Sequence, residues 1–376
     1  MALEVYSLCT GYLNFGYIAI HGVRVEKDFI KNKVVEFPRN VIAGHDVLRQ
    51  IREICVNIHS GTTGTIITGE NTNVAAGKAV NDYLSGYDID TCLTGNATIE
   101  NIEAVKNRVL EYGSTFILAV GGGSKIDIAK IVSMDLNVPF ISIPTSAAHD
   151  GIASNRASIK TQNGSISREG ASPMGVIADT SIIFKAPYRT LASGCADVLS
   201  NFSALNDWKL AYNLKDEPFS RSAYAFSYFS AESMMDASSY IRPNLEESVW
   251  LAIKPIIVSG ISMSIAGSSR PTSGSEHMIS HTIDLKYPGR ALHGEQCGVA
   301  TIFTLYLQKG DWEELKHALI EIGAPTTAAG IGLSDDEFID AVCNAHKIRS
   351  DRYTILGDRG IPRDDVEEIC VRTGVI

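Results

Sequence analysis

Along the first half of the chain, short β-branched and aliphatic runs alternate with stretches whose apolar residues recur at helical spacing. GTIITGE (64–70), STFILAV (114–120) and VPFISIP (138–144) predict strands buried within a sheet. The intervening pattern predicts helices over about Thr72–Leu84, Thr98–Glu111 and Ser124–Asp135. Strands alternating with helices imply a parallel sheet covered on both faces. Between Ser154 and Phe184 the pattern changes. SIKTQNGSISREGASPMGVIADTSIIF carries the turn signals NG and SP between strand-like runs, as a hairpin and one further strand would. After Pro187, LASGCADVLSNFSALNDWKLA, RSAYAFSYFSAESMMDASSYI and ESVWLAIKPIIVSGISMSIAG show helical spacing and no strand. The expectation is an α/β N-terminal domain (residues 1–186) with a parallel, Rossmann-like sheet, and an all-helical C-terminal domain (187–376). A ligand cleft is expected between them.

Composition narrows the partners. The net charge of −10 argues against nucleic acid or an anionic membrane face, both of which need a basic surface. Positive charge for an anionic substrate would have to be local. No apolar run is expected to reach the ~20 residues that span a bilayer, and no Lys or Arg precedes Arg24, so a secretory signal is not expected. The seven cysteines are scattered and never form a CxxC pair, as in reduced thiols of a cytoplasmic protein.

FILAVGGGSKIDIAKIV is a strand, three glycines (Gly121, Gly122, Gly123) and a helix. Such a turn brings backbone close to a ligand and offers the helix N-terminus to a phosphate. Ser124 is expected to cap that helix and Asp127 to lie in its first turn. The spacing is not GxGxxG, so a tight turn without a ligand is the alternative. SIPTSAAHDGIASNRAS follows the next strand, where Thr145, Ser146, Asp150 and Ser154 suit a ribose, a diphosphate or a small polyol, or simply a capped surface loop.

SGSEHMISHTIDLKYPGRALHGEQCG (273–298) holds three of the nine histidines. His277 and His281 lie about 6 Å apart on one helical face, suited to two metal ligands or to one ligand and one substrate contact. The Pro-Gly turn can return His293 over that face. A catalytic metal wants three protein ligands and an open position. Asp197, expected near the start of a helix, is the candidate carboxylate, with dipole complementarity as its simpler explanation.

The ordered set GGGSKID, PTSAAHDGIAS, GCADVLSN, SGSEHMISHTID and HGEQCG resembles the iron-containing alcohol dehydrogenase, glycerol dehydrogenase and dehydroquinate synthase superfamily. AHKIRSDRYTILGD is similar to a stretch characteristic of its archaeal-type sn-glycerol-1-phosphate dehydrogenases. The resemblance implies reversible, metal-dependent, NAD(H)- or NADP(H)-linked reduction of dihydroxyacetone phosphate, supplying the glycerophosphate backbone of membrane lipids. It implies zinc held by Asp197, His277 and His293. It also implies a dinucleotide on Gly123, Ser124, Lys125, Ile126, Asp127, Thr145, Ser146, Ala147, Ala148 and Ser154. Asp150 and His281 are implied as catalytic, substrate-side residues, with Asp197 also facing the substrate, and the relatives form homo-oligomers. Residues 1 to about 30 resemble an extension, and Ser350 stands where the family pattern has proline.

Arg349, Arg352, His346 and Arg290 are candidates for the substrate phosphate, and Glu70 for the adenosine ribose, where an acid would favour NADH. Three alternatives remain on sequence alone: a glycerol dehydrogenase acting on unphosphorylated polyols, a dehydroquinate-synthase-like cyclase, and a nucleotide-binding module without catalysis.

Overall fold

The structure, a computed structural model, describes residues 35–376 apart from 59–60, 162–163 and 350. The N-terminal extension, Cys9, Asn163 of the NG turn and Ser350 lie outside the described residues. Eight strands are present among those described: β1 (Asn40–Gly44), β2 (Thr63–Thr68), β3 (Asp88–Leu93), β4 (Phe116–Gly121), β5 (Phe140–Pro144), β6 (Arg156–Thr161), β7 (Gly164–Glu169) and β8 (Gly175–Asp179). Six form one sheet in the order β1-β8-β5-β4-β2-β3, every neighbour parallel. β6 and β7 form a separate antiparallel hairpin. From Thr180 onward the described elements are helices. The sequence therefore foretold an α/β region followed by a helical one.

The apolar runs correspond to β2, β4 and β5. β4 and β5 are buried at every position, which is why their sequences are continuously hydrophobic. β1 and β3 escaped the pattern because they are the sheet's edges. β3 reads DIDTCL and has one fully buried residue, too little apolar content to register.

Two expectations about the glycine-loop helix, Gly123–Leu136, are corrected. Gly122 is its N-cap and no side chain caps it, so Ser124 lies inside the helix. Asp127 lies beyond the first turn, where Lys130 Nζ donates to its Oδ1 at 3.0 Å. Lys130 is completely buried and also donates to Arg156 O at 2.6 Å and Ser154 Oγ at 3.2 Å, tying the helix to the hairpin.

The expectation that no apolar run could span a bilayer also needs correction. Glu246–Ala266 is 21 residues long with a mean hydropathy of 1.7, enough by length and composition. Its apolar content has another cause: it packs against the helices Arg221–Ala237 and Tyr188–Leu199, and 61% of that window is buried inside the protein.

Helix Tyr188–Leu199 makes two backbone contacts that only glycine permits. A Cβ on Gly194 would lie 2.0 Å from Ala147 O, in the loop after β5. A Cβ on Gly294, in helix His293–Leu307, would lie 1.9 Å from Ser193 O. Gly294→Ala is expected to force these helices apart and lower stability by at least the roughly 1–3 kcal/mol of core overpacking. Chemical denaturation measures this; an unchanged midpoint would contradict the contact.

Candidate metal- and nucleotide-binding site

Three segments supply the charged centre. Helix Ser275–Lys286 carries His277 and His281 one turn apart, with ring centroids separated by 6.3 Å. The Pro288–Gly289 turn, with Gly289 at φ +77, then reverses the chain. His293 begins the next helix, and its ring lies 4.9 Å from His277 and 6.0 Å from His281. Asp197 comes from helix Tyr188–Leu199, near its C-terminal end and not its start. Dipole complementarity is thereby removed as an explanation, because a carboxylate there faces the negative end of the helix.

Hydrogen bonds fix both imidazole tautomers. His277 Nδ1 donates to Glu276 Oε1 at 2.9 Å. Ser280 Oγ gives its proton to Gln296 Oε1 at 2.7 Å, so at 3.1 Å it accepts from His293 Nδ1. Each ring is left with an Nε2 lone pair, and each Nε2 lies 3.7 Å from Asp197 Oδ1. That oxygen is buried without a hydrogen-bond partner, while Oδ2 accepts the backbone N–H of Asp150 at 3.0 Å. Three acceptors thus converge with no proton between them. The Cys297 thiol, one turn beyond His293, joins them, with the four donor atoms within 4.8 Å of one another.

Burial dominates the electrostatics of these groups. Burial pushes the Asp197 carboxyl up to about 7, with nearby Glu276 adding to the shift. Burial and the Asp197 charge raise Asp150 to about 7 as well. Burial holds His277 and His281 well below the ordinary imidazole value and lowers His293. Burial likewise drives the Cys297 thiol well above its usual range. Neutral imidazoles with free lone pairs beside buried carboxyls form a donor set that a cation would stabilise.

His277, His281 and His293 line a cleft of about 350 Å³ that also receives Ser124, Asp127, Asp150 and Ser154. Asp150 is held by Ser259 Oγ, which donates to its Oδ2 at 2.9 Å. The other expected cofactor residues divide by role. Gly123 opens the helix at the end of β4, and Ser146 is half-buried beside Gly122. Thr145 and Ala147 are buried, Ile126 belongs to the core, and Ala148 O accepts from Ser193 Oγ at 3.1 Å. Lys125 turns outward to donate to Gly95 O. Glu70 lines a separate depression of about 550 Å³ with Leu93, Thr94 and Gly95, beyond the carboxyl ends of β2 and β3.

The basic candidates also separate. Arg349 lines the cleft. Behind it Arg352 is buried, donating to Ser273 O at 2.7 Å and Ser269 Oγ at 3.0 Å. Burial, with Arg349 and Arg270 nearby, lowers its guanidinium to about 9. Arg290 instead donates to Gly332 O at 2.8 Å and pairs with Glu337, and neither it nor His346 lines the cleft.

Sequence reasoning passed over His149, Glu276 and Cys297. His149 accepts Gly151 N–H on Nδ1 at 2.9 Å and covers Gly123 so closely that a Cβ there would meet its Nε2 at 2.0 Å. Burial lowers its imidazole to about 4. The adjacency of Glu276 to His277 was the available signal for Glu276, and the i, i+4 spacing from His293 for Cys297; His149 had none.

Residues 42–187 match the iron-containing alcohol dehydrogenase family. A glycerol-1-phosphate dehydrogenase (NAD(P)+) of Methanococcoides burtonii is 44% identical over 92% of this chain and 97% of its own. One from Methanosphaera stadtmanae is 46% identical over 91% and 98%. The fold matches that of glycerol dehydrogenase from Schizosaccharomyces pombe with a TM-score of 0.75 at 17% identity, covering 92% of this chain and 91% of that one. With such identity along nearly the whole of both curated relatives, the chain belongs to the glycerol-1-phosphate dehydrogenase family.

Proposed function

We propose that this chain is an NAD(P)-linked oxidoreductase that reversibly reduces dihydroxyacetone phosphate to sn-glycerol 1-phosphate, with zinc as its metal. The observation that carries the metal reading is Asp197 Oδ1, buried and unpartnered between two imidazole lone pairs. Asp197, His277 and His293 would hold the ion, a donor set suited to zinc. When bound, the ion supplies Lewis-acid polarisation of the ketone and the nicotinamide supplies the hydride.

The chain's own groups do the rest. Residues 1–186 form the dinucleotide-binding domain in this reading, with Gly123–Asp127, Thr145–Ala148 and Ser154 around the cofactor. Residues 187–376 form the metal- and substrate-binding domain. Asp150, anchored by Ser259, orients a substrate hydroxyl. His281, whose Nδ1 has no partner, stands at the cleft to relay a proton from solvent through its neutral ring to the developing alcohol oxygen. Arg349 receives the phosphate and Arg352 holds Ser269 and Ser273 around it. That basic corner favours this reading over an unphosphorylated polyol substrate. Glu70, beyond the end of β2, favours NADH. The reducing cytoplasm suits the free cysteines, and a homo-oligomer of this chain completes the proposal.

The test follows NADH and NADPH oxidation with dihydroxyacetone phosphate, before and after chelation and zinc re-addition, with the chirality of the alcohol determined. Chelator-sensitive formation of sn-glycerol 1-phosphate is expected; turnover of glycerol with NAD+ alone would overturn the assignment. His293→Ala is expected to abolish turnover and bound metal while NADH still binds, measured by fluorescence titration. Loss of cofactor binding as well would count against the division of roles. Arg349→Met is expected to lower kcat/KM for dihydroxyacetone phosphate on the order of 10–100-fold, the loss of a charged hydrogen bond worth roughly 1.5–3 kcal/mol. Dihydroxyacetone should be affected far less; equal losses on both substrates would remove Arg349 from the phosphate site.

A further inference from the structure

We infer that a chamber of about 230 Å³ beside the cleft, walled by Arg156, Arg270, Arg349 and Arg352, is a site for a phosphate dianion held between the hairpin and the helical region. The inference deepens the phosphate end of the reaction proposed above and rests on that reading only for where the phosphate comes from.

Charge is the first argument. Four guanidiniums line the chamber against two carboxylates, Glu217 and Asp351. That excess suits a phosphate group, which carries about −1.5 to −2 at neutral pH. Glu217 is committed to Arg270, accepting from its Nε at 2.6 Å and also from its Nη2. Asp351 is largely exposed and lies 3.7 Å from Arg349. Burial, and then the charges of Arg349 and Arg270, lower the Arg352 guanidinium. A dianion among the three would offset that repulsion.

Unspent donors are the second argument. Arg270 is 2% exposed, yet its Nη1 has no hydrogen-bond partner, and Arg156 Nε is buried without one as well. Buried N–H groups left unpaired are rare and call for an acceptor. Two hydroxyls on the same wall can add to them. Ser268 Oγ accepts the backbone N–H of Arg270 at 3.4 Å, and Ser269 Oγ accepts from Arg352 Nη2 at 3.0 Å, so each keeps its own proton to donate. Guanidinium forks and hydroxyls arriving from several sides match the spread of oxygens on a tetrahedral oxyanion.

Position is the third. Arg156, Ser167, Ser269 and Arg349 line both this chamber and the cleft, so the two spaces share a wall. Arg156 and Ser167 belong to β6 and β7, and the other two to the helical region. Arg156 already reaches across, donating from Nη2 to Gly267 O at 3.1 Å. A bound anion would add a second tie between the same two parts.

The test titrates inorganic phosphate into the full-length protein by calorimetry at constant ionic strength, with chloride as the control ion. Saturable binding at one site is expected, weakened about 10–100-fold in Arg156→Met and in Arg270→Met, as for a lost charged hydrogen bond. Arg156 is half-buried on the hairpin, so its variant decides if the buried Arg270→Met fails to fold. Displacement of phosphate by dihydroxyacetone phosphate would assign the chamber to the substrate's own phosphate. Phosphate that stays bound at saturating dihydroxyacetone phosphate would assign it to a free phosphate beside the substrate. No saturable binding in wild type, or equal affinity in wild type and Arg156→Met, would overturn the inference. If dihydroxyacetone phosphate is turned over while phosphate fails to bind, the proposed reaction stands and this site falls. Phosphate binding without any such turnover has the opposite meaning.

Discussion

The site depends on how closely three pieces of backbone approach one another. Helix Tyr188–Leu199 touches the loop after β5 through Gly194 and the helix bearing His293 through Gly294, with no room for a Cβ at either crossing. Asp197 lies one turn beyond Gly194, and His293 immediately precedes Gly294. The crossing at Gly294 brings the backbone beside His293 against the helix that carries Asp197. A wider crossing would leave the same residues too far apart to converge on one point.

Around that scaffold, polar groups hold the donors in one protonation pattern. Glu276 orients His277, and Ser280 orients His293. Ser280 is itself committed to Gln296, whose amide donates to Asp284 Oδ1 at 3.0 Å. Such a chain has one consistent direction of hydrogen bonding, so the lone pairs at the centre are set by residues remote from it. A strongly acidic chain keeps its positive charge local, with Arg349 at one wall of the cleft, Arg352 buried on Ser269 and Ser273, and Lys130 buried between its helix and the hairpin.

Much of the architecture was legible because burial imposes hydrophobic runs on β2, β4 and β5, and amphipathic spacing on the helices. The edge strands were not legible, since solvent on one side lets β3 carry two aspartates. At the site, spacing alone put His277 beside His281, and the Pro-Gly turn indicated the return of His293. Asp197 was named for the wrong local reason, because helix ends are weakly encoded and the break at Ser200 has no strong stop signal. The cover of His149 over Gly123 and the division between Arg349 and Arg290 are tertiary facts. Both depend on which way a loop leaves its helix, and no short-range pattern records that. Asp127 shows the same limit: its buried partner Lys130 sits three residues away in a pattern that reads equally well as an exposed pair.

The two oxygens of Asp197 face different parts of the molecule. Oδ2 is bonded to the backbone of Asp150, in the loop that leaves the sheet, while Oδ1 faces imidazoles carried by the helices. One carboxylate therefore acts as a rivet at the floor of the cleft. Moving that loop away from the helices would break the bond to Oδ2 and carry Oδ1 away from the imidazoles together.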